Sequence, residues 1–113
     1  MANPSFEREN GFLGALMQTG VKVHYSMESL KPEWFVGHSS HPMIYSAWLK
    51  LHKDNQPIDA VSIFETLRRD QLDLPPDTFQ YLVDMQMNGL AMMPSMRFAA
   101  DCIANDGKKA ELR

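Results

Sequence analysis

"NQPIDAVSIFETLRRDQLDL", residues Asn55 to Leu74, sets a turn directly before a helix that carries no obvious chemistry. Ala60, Ile63, Phe64 and Leu67 fall at i, i+3, i+4 and i+7, the spacing of one apolar helix face. Asp59 stands where a side-chain oxygen can accept from the free N–H groups of a first turn. Arg68 and Arg69 stand in the last turn, where the helix dipole favours cations. No nucleophile, acid–base pair or ligand set lies on the stretch, so it reads as an element for packing and docking.

The neighbouring segments repeat this pattern. On the N-terminal side Pro42 opens a helix with Ile44, Ala47, Trp48 and Leu51 on one face, closed by His52 and Lys53. On the C-terminal side Pro75-Pro76 introduces a helix whose face is Phe79, Leu82 and Val83, stopped at Asn88-Gly89. A last helix starts at Pro94-Ser95 with Met96, Ala99, Ala100, Ile103 and Ala110, and Gly107 is a weak point within it. The first helix starts near Ser5, with Glu7 and Glu9 in its opening turns. It has an apolar face of Phe6, Leu13, Leu16 and Met17, and Gly11 and Gly14 permit close approach of another helix. Val21, Val23, Tyr25 and Met27 alternate like a strand, but no second strand exists for pairing, so a short helix ending near Leu30 is expected. Pro32 suits a first helical position, and Trp34 and Phe35 are anchors for the core. The expectation is one all-α domain over 1–113, a compact bundle of about six short helices, with a core of Trp34, Ile44, Trp48, Phe64, Leu67 and Leu82.

Composition bounds the function. The 113 residues are 44% hydrophobic and 22% charged, which is globular. Eleven basic against fourteen acidic residues give a formal charge of −3, which argues against a dedicated nucleic-acid surface. Arg68-Arg69 and Lys108-Lys109 read as solvated helix ends. A single cysteine, Cys102, allows no internal disulfide and fits a reducing, cytoplasmic setting. No apolar run is long enough for a membrane span, and no signal-peptide pattern opens the chain.

Candidate chemistry is thin. His38 and His41 are three apart, but a tight metal site needs three or four ligands, so a structural role such as capping by His41 ahead of Pro42 is favoured. Cys102 has no neighbouring histidine in sequence and reads as a small apolar residue. Glu65, Asp70, Asp73, Asp77 and Asp84 are scattered over helix surfaces. Neither GxxxxGK[ST] nor GxGxxG occurs. A small metal- or thiol-dependent enzyme therefore has only the histidine pair and Cys102 behind it, and no cofactor is expected. "MQMNGLAMMPSM", Met85 to Met96, holds five of the nine methionines and reads either as a core corner or as an adaptable contact surface.

These segments resemble, in order and spacing, the N-terminal domain of the DnaB-type replicative DNA helicases of bacteria and their phages. "GFLGALM" at Gly11–Met17 is similar to the family's first helix. "LKPEWF" and "HPMIYSAWLKLHKDNQPIDAVSIFETLRRDQLD" are similar to its central pattern, with an aromatic after Pro-Glu, then His, an Ile-aromatic pair and the Pro-Ile-Asp turn. "YLVDM" at Tyr81–Met85 and "PSMRFAADCIANDGKKAELR" at the end are similar to its later helices. Pro75-Pro76 replaces the family's usual Gly pair, and the Met-rich segment replaces a more polar one. The ATPase domain that follows in the family is absent from these residues.

The resemblance implies a globular head over 1–90 and the start of a pairing hairpin over 91–113. It implies a non-catalytic assembly and docking domain of a replicative helicase: weak dimers of this chain, a hexameric ring in the full-length context, and docking of the primase C-terminal region, with a helicase loader as a further candidate. The alternative is a free-standing phage or mobile-element protein that mimics the collar and modulates a host helicase. The expected contact surface, for itself or a partner, is Met92, Met93, Met96, Ala99, Ala100, Ile103 and Ala110, a stripe of mostly small residues beside the Met-rich turn.

Overall fold

In the computed structural model, residues 4–18, 23–70 and 73–111 are described, the side chain of Ala110 excepted. Helix α1 (Pro4–Leu16) runs through the middle. Its consecutive residues Phe12, Leu13, Gly14, Ala15 and Leu16 are all buried, so this end of it is covered on every side. Around it lie the single turn α2 (Tyr25–Glu28), a 3-10 turn (Pro32–Trp34), α3 (His41–Lys53), α4 (Ala60–Asp70), α5 (Thr78–Asn88), a second 3-10 segment (Gly89–Ser95) and α6 (Met96–Glu111). No strand occurs among the described residues, and the all-α bundle of six helices is the architecture expected. Val21 lies outside the described residues. Val23 and the short helix after it pack on the core instead of pairing.

The Asn55–Leu74 stretch folds as its sequence dictates. The Asp59 carboxylate accepts from the Ser62 N–H at 2.8 Å, and the Ser62 hydroxyl accepts from the Asp59 N–H at 2.8 Å, a reciprocal cap on α4. Ala60, Ile63 and Leu67 are buried. Phe64, expected beside them in the core, is only half-buried. It lies at the α4–α5 seam, edge-on to Phe79 at 5.2 Å, with the Arg68 guanidinium over its ring. The turn before α4 is set by the end of α3. Asn55 has φ 55°, the Gln56 N–H reaches Leu51 O and the Asn55 N–H reaches His52 O, which caps the last carbonyls of α3.

Two glycines decide how α1 sits. A Cβ on Gly14 would stand 2.1 Å from Met85 O, and one on Gly89 would stand 2.1 Å from Gly14 C. The backbones of α1 and the α5 end therefore touch, as the small residue in "GFLGALM" allows. α5 ends at Asn88 with Gly89 as its C-terminal cap, as expected, but the cap does not reverse the chain. The Gly89 φ of −72° is right-handed, and the chain passes through the 3-10 segment directly into α6. The Met-rich turn is thus a helical bend: Met85 and Met96 are buried, Met92 and Met93 half-buried, and Met87 exposed. On α5 the buried residues are Thr78, Leu82 and Met85; Phe79 is exposed and Val83 half-buried, a rotation of the expected face.

Candidate functional site

The most concentrated polar chemistry in the fold is buried where α1, α3 and α5 meet. Glu9, read as a first-turn acid for the helix dipole, is only 2% exposed. Its carboxylate accepts from the Val36 N–H at 3.0 Å, from the Gly37 N–H at 2.9 Å and from His41 Nδ1 at 2.8 Å. His41 is fully buried. Its Nε2 is hydrogen-bonded to the Tyr81 hydroxyl at 2.7 Å, and that hydroxyl donates to Asn10 Oδ1 at 3.1 Å. The Phe6 ring stacks on His41 at 5.5 Å. His41 therefore does not cap α3, as its place before Pro42 suggested. Ser40 occupies the cap position without a side-chain bond, and His41 points inward as a hub.

This constellation orders a loop. Glu9 on α1 accepts from the Val36 and Gly37 N–H groups and so ties the segment before α3 to the first helix. Burial and the nearby Glu9 charge push the Tyr81 hydroxyl up to about 12, so it remains protonated and is no nucleophile. Tyr45 is raised further by its own burial; its hydroxyl donates to Met27 O at 2.6 Å and accepts from the Leu30 N–H at 3.2 Å. Both His41 nitrogens are engaged, and His38 Nδ1 contacts Ser40 at 2.7 Å, so the pair offers no chelating set. Among the described residues no group of three or more His, Cys, Asp or Glu is placed to hold a metal ion. Cys102 is half-buried on α6.

The expected contact surface is resolved differently. Met96, Ala99, Ala100 and Ile103 are each at most 3% exposed and face α1 and the core, so they are not available to a partner. Met92 and Met93 are half-buried, Met92 lying against Gly11, and the side chain of Ala110 lies outside the described residues. The correction has a simple cause. The small residues allow close approach, but the helix they admit is α1 of the same chain. The outer side of the same run carries Met87, Leu90, Pro94 and Phe98, of which Phe98 is 72% exposed. The signal was present in sequence: a large aromatic falls off the small-residue stripe, where a soluble helix usually carries a charge.

The end of α6 is fastened to the head. The Trp34 ring lies flat against Gly107, where a Cβ would stand 2.1 Å from Trp34 Cγ, and Trp34 Nε1 donates to Glu111 Oε1 at 2.9 Å. That bond and the Lys31 ammonium at 3.2 Å hold the exposed Glu111 carboxyl below the usual range. Arg8 pairs with Asp106 at 2.8 Å. Packing thus continues without a break across residue 90, where head and hairpin were expected to divide. No helix among the described residues is long and apolar enough to cross a membrane.

Comparison with curated proteins and with solved structures gave no match. The family model of the DnaB-like helicase N-terminal domain, by contrast, matches residues 1–103, nearly the whole chain and all the elements from α1 into α6, so the chain belongs to the DnaB-like helicase N-terminal domain family.

Proposed function

We propose that the chain is a non-catalytic assembly and protein-docking domain of a replicative DNA helicase, working in the cytoplasm as part of the ring collar and binding the primase C-terminal region. The family match is the observation that carries the reading. Two features of the molecule support it. Its buried polar groups are spent on holding loops and helices, with Glu9 and His41 facing each other and not solvent. Its outer surface along α5 and α6 exposes Met87, Leu90 and Phe98, large apolar groups that water alone does not favour. Self-association then uses the outward side of α6, not the buried stripe.

Calorimetric titration with the C-terminal region of the cognate primase tests the docking half. A saturable heat is expected, and its absence at concentrations well above micromolar would overturn it. The chain alone should turn over no ATP, since it holds no phosphate-binding loop. Turnover abolished by a substitution within the chain would show the opposite.

A further inference from the structure

We propose that the groove between α3 and α4 binds an amphipathic helix of a partner protein, one bearing two apolar anchors a turn apart and a flanking Lys or Arg. The inference rests on the docking reading above and gives it a place and a partner chemistry. Two adjoining cavities form the groove. One, of about 410 Å³, lies between Pro42, Ser46, Ala47 and Lys50 of α3 and Leu67 and Asp70 of α4. The other, of about 260 Å³, continues over Ile44, Leu74 and Tyr81 to a rim at Ser40 and Asp77. Met43 and Leu67 line both.

Length and charge select the occupant. Pro42, Ser46 and Lys50 stand on successive turns of α3, so the first cavity alone follows the helix for roughly 12 Å at about 1.5 Å per residue, and the second extends the groove past Met43. That suits two side chains at i and i+4, about 6 Å apart, with one entering each side of Met43. Met43 is half-buried, and its flexible thioether can reshape the partition between the cavities. Asp70 is partly offset by Lys50 at 3.6 Å. Asp77 is exposed, makes no capping bond to α5 and has no ion-pair partner among the described residues. The rim is therefore net acidic, within a chain of charge −3, and Lys50, its one lysine among the described residues, is already paired. Basic flanks complement such a rim; phosphate and acidic segments do not.

Three synthetic helical peptides, identical in two Leu anchors and differing only in Lys, Gln or Glu flanks, test this by NMR titration of the labelled chain. The Lys peptide should shift the amide signals of Met43, Ala47, Leu67 and Thr78, with affinity falling in the order Lys, Gln, Glu. Asp77→Asn should weaken the Lys peptide about two- to fivefold, the scale of a rim ion pair. Met43→Glu should weaken all three at least about tenfold, as loss of a central contact does. Ser46→Arg, at an exposed position, blocks the same cleft should Met43→Glu disturb the fold. Shifts centred elsewhere, equal affinity for the three flanks, or full binding by Ser46→Arg would overturn the proposal. The primase region then separates the two readings. Undiminished binding of it by Ser46→Arg, beside failed peptides, removes the groove and leaves docking. No primase binding by the unaltered chain removes docking, while the peptides still decide the groove.

Discussion

At the scale of single residues, the buried carboxylate is the most consequential feature. Glu9 answers two backbone N–H groups and the buried His41 at once, so Glu9→Ala leaves all three donors without this acceptor. We predict a loss of about 2–4 kcal/mol, since a buried group left unsatisfied costs about 1–3 kcal/mol and two backbone N–H groups lose their acceptor as well. Tyr81→Phe deletes one hydroxyl of the same network and should cost only about 1 kcal/mol. Urea unfolding orders the two, and a Glu9→Ala midpoint equal to that of Tyr81→Phe would contradict the assignment. The same network has a pH signature. Tyr81 keeps its proton up to about 12 in the fold, and Tyr45 is raised as well, while tyrosines of the unfolded chain ionise near about 10. The folded state binds more protons between those values, so this stability is complete below about 10 and is lost as pH rises toward about 12. The urea midpoint should fall across that window, and less steeply in Tyr81→Phe; a flat profile would contradict the burial of these hydroxyls. At Asn55 the left-handed backbone favours glycine, so Asn55→Ala should destabilise by about 1 kcal/mol and Asn55→Gly should not. None of this was legible in the sequence. Periodicity locates apolar faces, but a glutamate and a histidine read alone look like surface residues until their partners, far along the chain, are in place.

At the scale of elements, the sequence was a better guide, because a helix face depends on neighbours three and four residues away. α1, α3, α4 and α5 all lie where their spacing put them, and the Asp59 cap forms as its position suggested. What spacing could not decide is which way a face turns when two faces are plausible. Phe64 and Phe79 left the core to meet each other at the seam, and the small-residue stripe of α6 turned inward. Propensity misleads at Gly107 for a related reason. An alanine in a helix interior is worth about 1 kcal/mol over glycine. Here its Cβ would strike the Trp34 ring, and crowding of this kind costs about 1–3 kcal/mol, so contact wins and Gly107→Ala should destabilise the chain. A rise in melting temperature would show that Trp34 does not rest on α6. Gly14→Ala should be worse still, because the atom it meets is the Met85 carbonyl oxygen of the backbone and not a movable side chain.

At the scale of the whole molecule, the surface that holds the chain together is distinct from the surface proposed to meet others. Ile103→Glu buries a carboxylate among apolar groups and should cost about 3–5 kcal/mol, enough to threaten a domain with about 5–15 kcal/mol in total. Phe98→Glu lies on the outer side of the same helix and should leave folding intact while weakening association. Sequence alone led to the family through the order of several modest motifs, and the family match over residues 1–103 agrees. It did not locate the contact surface, because composition marks where helices can approach closely without saying whose helix approaches. The most direct test of the central claim is sedimentation equilibrium of the chain at rising concentration, alone and with the primase C-terminal region, for the unaltered protein and Phe98→Glu. The account predicts that the unaltered chain rises above its 12.9 kDa monomer mass and gains further mass with primase, while folded Phe98→Glu stays closer to the monomer. A chain that remains at 12.9 kDa at every concentration, with and without primase, would contradict it.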